Sequence, residues 1–151
     1  MATPGTVSAA YVRLQLGGQT VDVWDTAGSE KFASIMEMYT RNASCIILVF
    51  DQTSVESFRR AQTLYGTLKP ETNVVLVQNK TDLKDRECVP DSEVEQFVQE
   101  HKLILFKTSA LTGENVREMF ERAAEFEFSN QDDSNDDIVP DEPKKKGRCC
   151  E

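Results

Sequence analysis

Two stretches near the start of the chain, AAYVRLQL and QTVDVW, alternate apolar and polar side chains at period two and flank Gly17-Gly18. That alternation puts one row of side chains on each face of a strand, and a two-glycine link favours a tight turn, so a β-hairpin is predicted. The pattern then changes. SCIILVF (44–50), NVVLVQN (73–79) and LILFK (103–107) are apolar without alternation, as strands buried on both faces are. Between them the period lengthens to that of a helix. Ser54 is placed to cap a helix carrying Val55, Phe58, Ala61 and Tyr65. Pro90 suits the first turn of a second, with Val94, Phe97 and Val98 on one face. From Thr112 onward, Val116, Met119, Phe120 and Ala123 mark a third, and SIMEMY is a weaker candidate. Strand and helix thus alternate from residue 44 to about 127, which predicts an α/β fold with βαβ crossovers and a mostly parallel sheet flanked by helices.

The final segment breaks the pattern. SNQDDSNDDIVPDEP is acidic and poor in large apolar groups, so it cannot offset its ordering entropy, and KKKGRCCE then reverses the charge. The expected division is a folded domain over 1–128 and a disordered tail over 129–151. A chain of 151 residues is long enough for one domain with a real core.

The net charge of −9 argues against nucleic-acid binding, which needs a basic face. The longest apolar run, Cys45 to Phe50, is too short to span a bilayer, and MATPGTVSAA lacks the basic and apolar regions of a signal peptide. Cys45 reads as a small buried residue, Cys88 stands alone, and Cys149 and Cys150 are neighbours. No CxxC pair is present, and the single His101 has no co-ligands in sequence, so a reducing, intracellular compartment is expected.

Ligands of open parallel sheets bind at the carboxyl ends of strands, and three polar signatures stand there. Asp25-Thr26-Ala27-Gly28 follows the hairpin, Asn79-Lys80-Thr81-Asp82 follows NVVLVQ, and Thr108-Ser109-Ala110 follows LILFK. A carboxylate such as Asp82 can accept two parallel hydrogen bonds from the ring N–H and amine of guanine, a pattern adenine lacks. The Lys80 stem can cover a base face, Asn79 can tie adjoining loops through its amide, and Ser109-Ala110 can present an N–H to a carbonyl oxygen. An Asx-type turn with a surface salt bridge would use the same residue types. The tetrapeptide alone arises by chance in about 2% of chains this long, but its agreement with the other two signatures does not.

With these motifs the chain resembles the Ras-superfamily small GTPases and is most similar to the Rab family, over residues 6–127. WDTAG followed by E-[KR]-F matches the second switch of that family. NKTDL and TSALTGENV match its guanine-binding loops, and MYTRNASCIILVFD the segment between them. The resemblance implies a P-loop-NTPase-like fold, GTP/GDP and Mg2+ as ligands, and GTP hydrolysis. It places Asn79, Lys80, Asp82, Ser109, Ala110 and Leu111 at the base. Asp25 and Thr6 fall at the magnesium ion, and Gly28 at the γ-phosphate, where its missing Cβ permits close approach. Tyr11, Trp24 and Tyr39 correspond to an aromatic trio that Rab proteins show to effectors. Exchange factors, escort and prenyl transferase machinery are the other partners implied, with no nucleic acid.

The chain departs from the family in several places. No GxxxxGK[ST] string occurs; Gly5 is the only glycine before the hairpin, and no lysine precedes Lys31. The expectation is that the first strand, P-loop and first helix, about thirty residues, are absent. Losing three charge-assisted bonds costs on the order of 5–9 kcal/mol of nucleotide affinity. It should also expose two strand edges, or force them to pair directly. Ser29 stands where the family has the glutamine that orients water, so hydrolysis should be slow. Leu111 replaces a common lysine, and Ser8 a glycine.

Cys149-Cys150 resembles the Rab double-cysteine ending, which takes two geranylgeranyl groups. Arg148 rules out a CaaX box, and Lys144, Lys145, Lys146 and Arg148 would add attraction to an anionic leaflet. The implied role is a membrane-tethered switch in vesicle trafficking, on the cytoplasmic face of endomembranes with a cytosolic pool. A nucleotide-independent pseudo-GTPase that binds effectors or prenylation machinery, and a non-functional fragment, are the alternatives.

Overall fold

In the computed structural model, residues 10–26, 40 and 42–129 are described. The hairpin forms as its pattern predicts. Strand β1 (Ala10–Leu16) pairs antiparallel with β2 (Gln19–Asp25), in a register from Ala10↔Asp25 to Leu16↔Gln19. The connection needs positive φ at both central positions, and Gly17 and Gly18 supply +58° and +84°. One face carries Val12, Leu14, Val21 and Val23; the other carries Tyr11, Arg13, Asp22 and Trp24.

The second sheet is parallel throughout, in the order β3 (Ile46–Asp51), β4 (Val74–Asn79), β5 (Ile104–Lys107). Helix α1 (Val55–Tyr65) crosses from β3 to β4, α2 (Asp91–His101) from β4 to β5, and α3 (Val116–Ser129) follows β5. A short 3-10 turn, Lys84–Arg86, lies between β4 and α2. The Ser54 cap forms as expected, its Oγ accepting the Ser57 N–H at 3.2 Å. Pro90 stands one residue earlier than the pattern suggested, as the N-cap of α2, where its missing N–H costs nothing. Thr112 likewise falls in the turn preceding α3. The weak SIMEMY candidate lies outside the described residues.

Because β4 is central, its side chains pack on both sides of the sheet. Leu48, Phe50, Val74 and Leu76 face α1 and α2 through Phe58, Ala61, Val94 and Phe97. Val75 and Val77 face Met119 and Ala123 of α3, with Ile47, Ile104 and Phe106 alongside. On the first side the aromatic rings form a chain. Phe58 lies 4.8 Å from Phe50 and 5.9 Å from Phe97, which in turn contacts Tyr65 and His101.

One sequence expectation is corrected. SCIILVF was predicted to be buried on both faces, yet Val49 is 55% exposed and Ile46 and Ile47 only half-buried. Among the described residues β3 has a strand neighbour on one side alone, so its apolar character exceeds the cover available. The hairpin does not pair with it; β1 and β2 form a separate two-stranded sheet that approaches α3. Of the two outcomes expected for the sheet, direct pairing of the hairpin with β3 is not seen among the described residues.

Candidate functional site

The carboxyl ends of β3, β4 and β5 open on the same side of the sheet, since the three strands run parallel. The loop after β4 turns sharply. Lys80 adopts φ +69°, a left-handed conformation that costs a non-glycine residue on the order of 1–3 kcal/mol and persists only where its surroundings impose it. Here the restraint is visible. Lys80 Nζ lies 2.5 Å from Asp51 Oδ2 at the end of β3. Burial pushes the Asp51 carboxyl pKa up, but bonds from Lys80 and from the Thr53 N–H and hydroxyl outweigh it, and the net shift is down.

The loops after β4 and β5 are tied together by side chains that the sequence singled out. Asn79 Oδ1 accepts the Ala110 N–H at 3.0 Å and the Thr108 hydroxyl at 3.3 Å. Ser109, wholly buried, donates its hydroxyl to Asp82 Oδ1 at 2.5 Å and accepts the Thr112 N–H at 3.1 Å. The Thr81 N–H donates to the Thr108 carbonyl at 3.1 Å, closing the pair of loops across the sheet's end. Farther out, the Thr81 hydroxyl donates to Glu114, and Asn115 Nδ2 donates to the Lys107 carbonyl. Leu111, at 81% exposure, projects from the rim.

Asn79, Lys80, Asp82, Ser109, Ala110 and Leu111 are thus assembled on two joined loops. Ser109-Ala110, read from sequence as offering an N–H to a ligand carbonyl, here donates the Ser109 N–H to the Glu114 carbonyl and the Ala110 N–H to Asn79. Asp25 is the exposed last residue of β2, and no hydrogen bond among the described residues links it to these loops. On the hairpin, Tyr11 and Trp24 sit opposite each other with ring centroids 4.8 Å apart. Asp22 anchors Tyr11, accepting twice from the Arg13 guanidinium and once from the Tyr11 hydroxyl, which together hold its carboxyl below the usual range. Thr6, Gly28, Ser29, Tyr39, Cys149 and Cys150 lie outside the described residues.

Sequence reasoning missed Asp51, Gln52 and Gln78. Asp51 was within reach, since it is an acid ending a buried strand, the same signal that singled out Asp25. Nothing in the sequence pairs Gln52 with Gln78.

Residues 6–127 match the family model described as the Ras family. The chain belongs to this family. Its relatives are of Rab type. The Ras-related protein Rab-4 of Dictyostelium discoideum is 37% identical over 117 residues, covering 75% of this chain and 57% of that protein. Rab-4B of Homo sapiens is 41% identical over 120 residues, with 74% and 55% covered. Rab5A of Oryza sativa is 37% identical over 127 residues, with 79% and 63% covered. The chain therefore spans between about half and two thirds of the length of these relatives. A Rab-type Ras-family chain accounts for a parallel sheet whose strand ends bring NKTD and TSA together.

Proposed function

We propose that the joined loops after β4 and β5 read a guanine base, within a Rab-like, membrane-tethered switch of vesicle trafficking. The observation that carries this reading is the oriented carboxylate. Ser109 holds Asp82 through one oxygen while Asn79 fixes the neighbouring loop. Each carboxylate oxygen has two lone pairs, so the Ser109 bond leaves room for both guanine donors. The Lys80 stem and the projecting Leu111 would flank the base. The bound nucleotide would supply the phosphates and Mg2+ that distinguish the two states of a switch, and Asp25, Thr6 and Gly28 are the residues proposed to face them. On these 151 residues we infer weak nucleotide affinity, because no GxxxxGK[ST] string is available to hold the phosphates. Slow hydrolysis follows from Ser29. Exchange factors, effectors, and escort and prenyl transferase machinery are the proposed protein partners. Prenylation of Cys149 and Cys150 is the proposed anchor on the cytoplasmic face of endomembranes.

Binding of GDP and ADP to the parent and to Asp82→Asn tests the base site. The parent is expected to prefer GDP, and the variant to lose that preference because the amide puts an NH2 donor where one carboxylate oxygen would accept, so the two parallel guanine donors no longer both meet an acceptor. Equal GDP affinity in both overturns the assignment.

One observation favours a second reading, a nucleotide-independent binding module. The Tyr11–Trp24 pair is exposed, and Tyr11 is held by Asp22, itself paired with Arg13, through contacts within the hairpin. With Tyr39 it would present the effector surface in either nucleotide state. An effector that binds equally with and without added GTP would favour this reading over the switch.

A further inference from the structure

Resting on the guanine-site reading, we propose that Gln52 and Gln78 are positioning residues that hold the base-reading loops in register. Both amides are almost wholly buried at the ends of β3 and β4. Gln52 touches the Lys80–Asp82 loop on both of its flanks. Its N–H donates to the Asn79 carbonyl at 3.1 Å, just before the loop. After the loop, its Nε2 donates to the Leu83 carbonyl at 3.3 Å, and its own carbonyl accepts the Cys88 and Val89 N–H groups at 2.9 and 3.2 Å. Lys80, Thr81 and Asp82 are therefore spanned by one residue. Gln78 extends the tie to the other loop. Its Nε2 donates to Gln52 Oε1 at 3.4 Å, and its carbonyl accepts the Thr108 N–H at 2.8 Å, one residue before Ser109. Beyond it, Lys107 Nζ donates to Asp91 Oδ1 at 2.6 Å, and the Asp91 carboxyl is held below the usual carboxylate range, first by Lys107 and to a smaller extent by the Gln78 amide. The chain of side-chain contacts runs Gln78–Gln52–Leu83 and underlies both loops.

A packing role does not require amides here. Leucine fills similar volume without burying polar atoms, and Gln78 Oε1 has no hydrogen-bond partner among the described residues. At 3.3 and 3.4 Å the side-chain bonds are longer than usual and individually weak, so their value lies in fixing relative position across the strand ends.

The double substitution Gln52→Leu with Gln78→Leu separates positioning from packing, because replacing both partners by apolar groups leaves stability nearly unchanged. Backbone amide exchange is read at Thr81 and Ala110, whose bonds join the two loops, alongside the melting temperature and the GDP and ADP affinities. The expected result is exchange about tenfold faster at these two amides with the melting temperature kept. The GDP-over-ADP preference should fall several-fold to about tenfold, as the loss of one net hydrogen bond implies. Unchanged exchange at Thr81 and Ala110 overturns the proposal. So does exchange that quickens uniformly along β4 with a lowered melting temperature, since that marks a merely structural pair. If the parent itself does not distinguish GDP from ADP, the guanine-site reading fails, while the exchange rates still decide the positioning role. Should the double variant not fold, Gln52→Asn, one methylene too short to span the loop, is read in its place and is expected to quicken exchange at the same two amides.

Discussion

The Ser109 hydroxyl lies 2.5 Å from Asp82 Oδ1, joining the loop after β5 to the loop after β4 through one buried side chain. Ser109 is wholly buried and also accepts the Thr112 N–H, so its hydroxyl serves both the turn and the carboxylate. Ser109→Ala should therefore cost about 1–2 kcal/mol of stability and weaken guanine binding about tenfold, since Asp82 would lose its fixed orientation. Denaturant melts and GDP titration of the same protein check both parts. Unchanged GDP affinity would show that Asp82 does not meet the base.

Asp51 and Lys80 make a prediction in pH. The carboxyl of Asp51 is held below its ordinary value of 3.8 by Lys80 and Thr53 against the opposing effect of burial. A depressed folded-state value means the ion pair's contribution is fully present at neutral pH and is lost as the pH falls through the acid range below 3.8. Lys80 is half exposed, so that contribution is about 1 kcal/mol or less. Urea unfolding at pH 7 and pH 3 should show Asp51→Asn losing less stability on acidification than the parent. An identical acid loss in both proteins would remove Asp51 from the account.

How much of this was legible in the sequence depends on the range of the interaction. The hairpin, the three parallel strands and the Ser54 cap are local, and period two, apolar runs and cap chemistry encode them directly. The two loops could be placed because strand ends are predictable once strands are. Asn79 was expected to tie adjoining loops, and it does so through Ala110 and Thr108. The Gln52–Gln78 and Asp51–Lys80 contacts could not be found, because they depend on the β3–β4 register, in which Phe50 pairs Gln78 and Asp51 pairs Asn79. No periodicity within either strand specifies that offset. The exposure of Val49 was misjudged for a related reason: an apolar run records the cover a strand can use, and the neighbours present decide the cover it has.

The hairpin turn supports a second stability prediction. Gly18 has φ +84°, where an added Cβ meets no neighbouring atom but the backbone itself is strained. Gly18→Ala should destabilise the hairpin by about 1 kcal/mol. Trp24 is the only tryptophan of the chain and lies on β2, so its fluorescence reports this element directly. The expected outcome is an earlier Trp24 transition in urea. A transition at the parent's midpoint would mean that the turn does not adopt this geometry.

Val49 tests the open edge of the parallel sheet. The run Cys45–Phe50 carries no charge, β3 has a strand on one side only among the described residues, and Val49 is exposed at its centre. An apolar edge of this kind invites pairing with another chain, and a lysine placed on it is the usual deterrent. Because Val49 is more than half exposed, Val49→Lys should change folding stability by no more than about 0.5 kcal/mol. Its effect should appear in self-association, as lower light scattering than the parent at equal high concentration. A loss above about 2 kcal/mol would instead resemble burial of an unpaired charge, and would show that this side of β3 is covered in the folded protein. Stability and scattering together thus distinguish an exposed edge from a hidden one, and neither measurement depends on nucleotide.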